Sequence, residues 1–210
     1  MPRRAVPIVA GEYYHIYNRG NNREDLFLEA RNYQHFLELY AKHVSPIVET
    51  YAYCLLRNHF HVLVRIKSEE EQEQTLRVSE TLRVSCPFIP QKPSQQFGNL
   101  FNAYAKAINK AYDRTGSLFE TPFGRVLVKS ETHLAHLVVY IHQNPQKHGL
   151  VEDFRMWPHS SYQAMLSHKP TRLERAGALA WFHDWASCED AHRGMSCEAP
   201  IAPLVAGDVD

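Results

Sequence analysis

Two histidines separated by one apolar residue, His59-Phe60-His61, head an alternating run that continues to Ile66. In a β-strand successive side chains point to opposite faces. Phe60, Val62, Val64 and Ile66 then share one face, and His59, His61, Leu63 and Arg65 share the other. The apolar set suits a core. The other face carries two imidazoles side by side, placed to reach one metal ion or one phosphate, or to serve as a plain structural pair. A second group stands some eighty residues later. His136, Tyr140 and Asn144 follow at i, i+4 and i+8 and form one polar stripe on a helix. One reading is a half-buried tyrosine with solvated neighbours. The other is a nucleophile flanked by a base or metal ligands.

Both groups need elements to hold them. Residues 12–18 are β-branched and aromatic and read as a strand, followed by an Arg19-Gly-Asn-Asn-Arg23 turn. Residues 29–43 read as an amphipathic helix with Tyr33, Phe36, Leu37 and Tyr40 on one stripe. Strands over 47–56 and 59–66 are joined by a short turn, which predicts antiparallel neighbours. Next comes a charged stretch and a six-residue tandem duplication, residues 75–80 and 81–86, read as a surface excursion. A long helix covers 94–113, with Phe97, Leu100, Phe101, Tyr104 and Ile108 on its apolar side. Val126–Lys129 reads as a fourth strand. Ser130 is placed to cap a helix that runs to about Gln143 and ends before Pro145. One more helix is expected over 172–187, and the last twenty residues read as weakly ordered.

This order suits an α+β sandwich, an antiparallel sheet of about four or five strands with helices packed on one face. Residues 1–165 form the expected catalytic domain. Residues 166–210 form a C-terminal helix and a weakly ordered acidic tail.

Composition narrows the class. The formal net charge is zero, so binding of nucleic acid by bulk charge alone is not expected. Residues 151–210 hold 5 Lys and Arg against 9 Asp and Glu, which leaves the front part mildly basic and the tail acidic. No apolar run approaches the roughly 20 residues that span a bilayer, and a cytoplasmic location is expected. The four cysteines form no CxxC pair and read as free thiols; Cys188, His192 and Cys197 make a poorly spaced zinc cluster at best.

The motifs His59-Phe60-His61, Tyr140-Ile-His-Gln-Asn-Pro-Gln-Lys-His-Gly149 and Trp157-Pro-His-Ser-Ser-Tyr162 occur in one order. With Tyr14-His-Ile-Tyr-Asn-Arg-Gly20 and Gly116-Ser-Leu-Phe-Glu120, they resemble the HUH single-tyrosine transposases, in particular the REP-associated tyrosine transposase group. The resemblance covers roughly residues 10–165. It implies a ferredoxin-like fold, with His59, His61 and Asn144 as ligands of a divalent metal, Mg or Mn, and Tyr140 as the catalytic nucleophile. It implies attack on a scissile DNA phosphate, a 5′-phosphotyrosine intermediate and later rejoining.

The implied partner is single-stranded or hairpin DNA, handled by a monomer or homodimer. Such binding wants basic grooves and aromatic platforms. The candidates are Arg19, Arg23, Arg57, Arg65, Arg125 and Lys129. Lys106, Lys110, Arg114 and Lys147 are further cations, with Tyr17 or Phe119 as platforms. His136 is a candidate base and His142 a structural residue. Two alternatives remain: a domesticated hairpin-binding protein that no longer cuts, and a phosphodiesterase that hydrolyses with water.

Overall fold

The alternation in the histidine strand is realised in the computed structural model, which describes residues 6–78, 88–194 and 198–205. Four strands form one antiparallel sheet: β1 (Tyr13–Arg19), β2 (Val48–Leu55), β3 (His59–Ile66) and β4 (Gly124–Val128). Their spatial order is β2-β3-β1-β4. Helix α1 (Ala30–His43) links β1 to β2. Helices α2 (Glu69–Val78) and α3 (Pro93–Ala111) lie between β3 and β4. The β-α-β-β-α-β order with interleaved strands is the ferredoxin-like arrangement, here with α2 inserted. The α+β class and the antiparallel sheet are as expected.

The even-numbered side chains of β1 and β3 build the larger core. Tyr14, Ile16, Phe60, Val62, Val64 and Ile66 pack with Tyr33, Phe36 and Tyr40 of α1. Phe97, Leu100, Phe101, Tyr104 and Ile108 of α3 complete it, the five residues of the expected stripe. Burying a side chain of this kind stabilises by about 1.5–3 kcal/mol.

The layering differs from the expectation of helices on one face. Helices α1 and α3 share a face, but the chain after β4 covers the opposite, histidine-bearing face. Helix α4 (Glu131–Lys147) packs there with α5 (Tyr162–Leu166), α6 (Arg175–Ala180), α7 (Trp185–Gly194) and α8 (Glu198–Val205). The physical reason lies in the strands. Leu63 and Ala52 are apolar on that face too and are fully buried, so it needs its own cover.

Three element boundaries also differ. Helix α4 does not stop before Pro145 but runs through it to Lys147. Proline removes one N–H in the last turn, and the turn is closed by the N–H groups of His148, to Asn144, and Leu150, to Pro145. Ser130 stands at the N-terminal cap of α4, yet its side chain accepts no cap hydrogen bond. The helix expected over 172–187 is two shorter helices, α6 and α7. Within the stretch expected to be weakly ordered, residues 198–205 form α8, with Ile201 and Leu204 buried against α4. Most of the tandem duplication, Cys86 and Cys197 lie outside the described residues; Thr75 to Val78 end α2.

The C-terminal layer is tied to α4 by a buried hydrogen-bond chain. His192 Nδ1 donates to the Cys188 carbonyl at 2.7 Å, so its Nε2 accepts from His142 Nδ1 at 2.8 Å. His142 Nε2 meets the Ser161 hydroxyl at 2.7 Å. His142 thus has the structural role read for it. Both nitrogens of His192 are engaged in these bonds, which leaves it no lone pair for zinc. Burial lowers the pKa of both rings, and for His142 the neighbouring His192 lowers it further.

An acid sensitivity follows. The unfolded chain takes up protons on these residues near pH 6.5, whereas the folded chain does not. Stability is therefore constant well above that pH and falls below it, by at most about 1.4 kcal/mol per pH unit per histidine. Urea unfolding between pH 8 and pH 5 reads this directly. A midpoint that stays flat or rises toward pH 5 would contradict it.

Candidate active site

The face of the sheet toward α4 carries more than the two histidines. Antiparallel register sets Arg19 opposite His59, Tyr17 opposite His61 and His15 opposite Leu63. His15, Tyr17 and Arg19 therefore stand on the histidine face beside β3. His59 and His61 are buried, with ring centroids 5.1 Å apart and nearly perpendicular. His15 lies 5.2 Å from His61, and Tyr17 lies 5.0 Å from His15, so three rings form a loose stack. Gly124 of β4 makes room for it: a Cβ there would sit 2.2 Å from the Tyr17 ring.

Helix α4 brings Tyr140 to this face. Its ring meets the His61 ring edge-on, 5.9 Å between centroids. Tyr140 is 2% exposed and Asn144 is fully buried, one turn further along. Asn144 Nδ2 donates to the Tyr140 carbonyl at 3.4 Å. Its Oδ1 is buried and has no hydrogen-bond partner. Such an oxygen costs about 1–3 kcal/mol unless something else satisfies it.

Among the described residues no three His, Cys, Asp or Glu side chains are arranged to hold a metal ion by themselves. The donor set at this place is instead two imidazoles and one amide oxygen. His59 Nδ1 donates to Asn58 Oδ1 at 2.6 Å, and Asn58 Nδ2 in turn reaches the Arg23 carbonyl at 3.4 Å. That bond leaves the His59 lone pair on Nε2. Burial holds the His61 pKa well below the ordinary imidazole value, and His15, His148, Arg19 and Lys147 push the same way. A neutral imidazole is the form that binds metal. An orphaned carbonyl oxygen and two buried imidazoles are a donor set that fits a divalent cation.

Sequence reasoning missed two neighbours, His15 and His148, and read Lys147 only as a further cation for DNA. His15 is hydrogen-bonded to His61. The Lys147 ammonium stands over the Tyr140 ring, 5.1 Å from its centroid. His148, at the end of α4, places its ring 4.8 Å from His59. Period-two alternation in Tyr13–Arg19 would have found His15. The places of Lys147 over Tyr140 and of His148 beside His59 were hidden by ending α4 before Pro145. Continued one turn, the helix puts Lys147 at i+7 from Tyr140, on the same face.

The expected DNA contacts divide. Arg19 lines a cleft with Tyr17, His59 and Glu120. Arg57 lines a second cleft on the other side of His59, with His148, and pairs with Asp25 at 2.6 Å. Arg23 is exposed at the same end, next to the β2–β3 turn.

Three others do not join them. Arg65 shares the face but stands six residues along β3, roughly 20 Å away, and is held between Glu49 and Glu71. Arg125 is opposite Ile16, so it projects to the other face, where it bonds Ser94 and lies over Phe123. Lys129 follows Val128, which pairs with Tyr13 at the far end of β1. Phe119 is no platform; it is 5% exposed in the larger core. Lys106, Lys110 and Arg114 lie on or just after α3, on the far side of the sheet, and Arg114 pairs with Glu24.

No protein-family model matches the chain. A curated protein of Haemophilus influenzae, assigned as a REP-associated tyrosine transposase, is 29% identical over 114 residues. The match covers 54% of this chain, and the chain spans 58% of the length of that relative. Among solved structures, a REP-associated tyrosine transposase bound to a REP hairpin superposes with a TM-score of 0.58 at 16% identity. That match covers 81% of this chain and 89% of the other, and it shows a shared fold. The chain resembles REP-associated tyrosine transposases in sequence and in fold. Among the described residues no helix is long and apolar enough to cross a membrane.

Proposed function

We propose that this chain cleaves and rejoins single-stranded DNA at a hairpin, with Tyr140 as the nucleophile. The observation that carries the reading is the edge-on approach of Tyr140 to His61, one turn from the orphaned Asn144 oxygen. The solved relative's hairpin supplies the substrate class.

His59 Nε2, His61 Nε2 and Asn144 Oδ1 would hold a divalent cation, Mg or Mn. When bound, it offsets the charge that builds on the phosphate oxygens. The chain's own residues do the rest. Arg19 and Arg57 each line a cleft that reaches His59, with Arg23 exposed at the same end, and DNA can approach through these clefts. Tyr140 Oη forms a bond to phosphorus and loses its proton. The bond from phosphorus to the 3′-oxygen breaks, and that oxygen takes a proton. The products are a 5′-phosphotyrosine and a free 3′-hydroxyl, and attack by another 3′-hydroxyl reverses the bond. No nucleotide cofactor is needed, because the phosphotyrosine conserves the bond energy.

A phenol of ordinary pKa about 10 is a weak nucleophile at neutral pH. The Lys147 cation over the ring favours the phenolate. His136, one turn before Tyr140, has its pKa lowered by burial and then by His133, so it is neutral at pH 7 and able to accept a proton. Lys147→Met is expected to slow cleavage at pH 7 about tenfold, with most of the rate regained above pH 9. Equal loss at every pH would assign Lys147 to DNA binding instead.

The test is a cleavage assay on hairpin oligonucleotides labelled at either end, with and without Mg2+ or Mn2+. The expected result is cation-dependent cleavage in which the 3′-side fragment becomes attached to protein. Tight hairpin binding without cleavage under any cation would favour the binding-only alternative.

A further inference from the structure

We propose that His15 is a positioning residue, which fixes the proton of His61 on Nδ1 and so presents the Nε2 lone pair toward Tyr140 and Asn144. The direction of the hydrogen bonds carries the argument. His15 Nδ1 lies 3.0 Å from the carbonyl oxygen of Leu204 on α8. A carbonyl only accepts, so His15 Nδ1 must hold the proton. In the neutral ring the other nitrogen, Nε2, is then an acceptor. It lies 3.0 Å from His61 Nδ1, which must therefore donate. One backbone carbonyl thus sets two tautomers in series.

All members of this chain are buried. His15 and His61 are both fully buried, and Leu204 is 8% exposed. No water competes to reverse the bonds, and a buried N–H pointed at another N–H would cost about 1–3 kcal/mol. His59 reaches the same tautomer by a different route, through the Asn58 side chain. Both imidazoles of the pair therefore keep their protons on Nδ1. The C-terminal helix takes part in the site through its main chain, by the Leu204 carbonyl. Outer partners of this kind orient ligands and typically change metal affinity by about 10–100-fold when removed.

The hydrogen-bond direction stands independently of the metal reading; only the consequence for affinity rests on it. The test uses the full chain, stripped with chelator and labelled with 15N-histidine. His61 is assigned by the resonance lost in His61→Gln, and nitrogen chemical shifts report its tautomer. Wild type is expected to carry the His61 proton on Nδ1. His15→Gln preserves the relay, because a glutamine oxygen accepts from His61 while its NH2 donates to Leu204. It should keep both the tautomer and the Mn2+ affinity, read by electron paramagnetic resonance, within about threefold. His15→Leu offers no acceptor; the Nε2–H form should appear and Mn2+ affinity fall about 10–100-fold.

A wild-type His61 with its proton on Nε2 overturns the proposal, whether or not His15→Leu folds. So does a folded His15→Leu that keeps the Nδ1–H form and wild-type affinity. The expected tautomers in a chain that binds no Mn2+ would uphold the positioning role and sink the metal reading.

Discussion

Tyr140→Phe is expected to fold, to bind hairpin DNA and to form no covalent adduct, with strand cleavage reduced at least about 10,000-fold. The substitution removes one oxygen and keeps the ring. The edge-on contact with His61 and the packing beneath Lys147 both survive. Tyr140 sits among Leu137, Val138 and Ile141 on a helix buried nearly all round, so a phenyl ring suits the site. The change in stability should stay within about 1 kcal/mol. Tyr17 shares the face, but as part of a ring stack on β1. Denaturing gels of the enzyme with labelled hairpin read the adduct, and thermal unfolding reads the fold. Cleavage with an adduct in Tyr140→Phe would remove Tyr140 from the mechanism.

Asn144→Leu should move stability and activity in opposite directions. The Asn144 oxygen is buried without a hydrogen-bond partner, and the side-chain bond that remains is a long one, 3.4 Å to the Tyr140 carbonyl. Leucine has a similar shape and no polar atoms to desolvate. Replacing a poorly satisfied buried polar group by an apolar one is neutral or stabilising, here by about 1 kcal/mol. For a chain of this length that raises Tm by about 2–4 °C. The same change takes away a donor atom from the proposed cation site. Mn2+ affinity should fall about 100-fold or more, and cleavage at limiting cation should fall with it. A gain in stability with unchanged Mn2+ affinity would show that the oxygen is not a ligand. A large loss of stability would show that Asn144 holds the fold together through contacts other than these.

Where the sequence was legible, strong periodicity made it so. The strand His59–Ile66 and the apolar stripe of α3 follow directly from alternation and from helical spacing, because burial on one face leaves few other arrangements. The polar stripe of Tyr140 and Asn144 was legible for the same reason. What failed had weaker local signals. Pro145 reads as a stop, but proline in a last turn costs only one N–H that neighbours can replace. Losing that turn hid where Lys147 and His148 stand relative to Tyr140 and His59. The second layer of helices was misplaced because α6 and α7 are short, with little period to count. Arg125 and Lys129 looked alike as strand cations. Only the register, Arg125 against Ile16 and Val128 against Tyr13, tells that one points away from the histidine face and the other stands at the far end from His59. Register is a long-range property, set by which strands pair, and no window of a few residues contains it.

Peptide mapping of the DNA–protein adduct by mass spectrometry is the most direct measurement. After digestion with trypsin and nuclease, the peptide containing Tyr140 is expected to carry a 5′-phosphoryl nucleotide on the phenol oxygen, with cation present and not with chelator. A nucleotide attached to any other residue, or cleavage by the wild-type chain with no attached nucleotide, would contradict attack by Tyr140 beside His59 and His61.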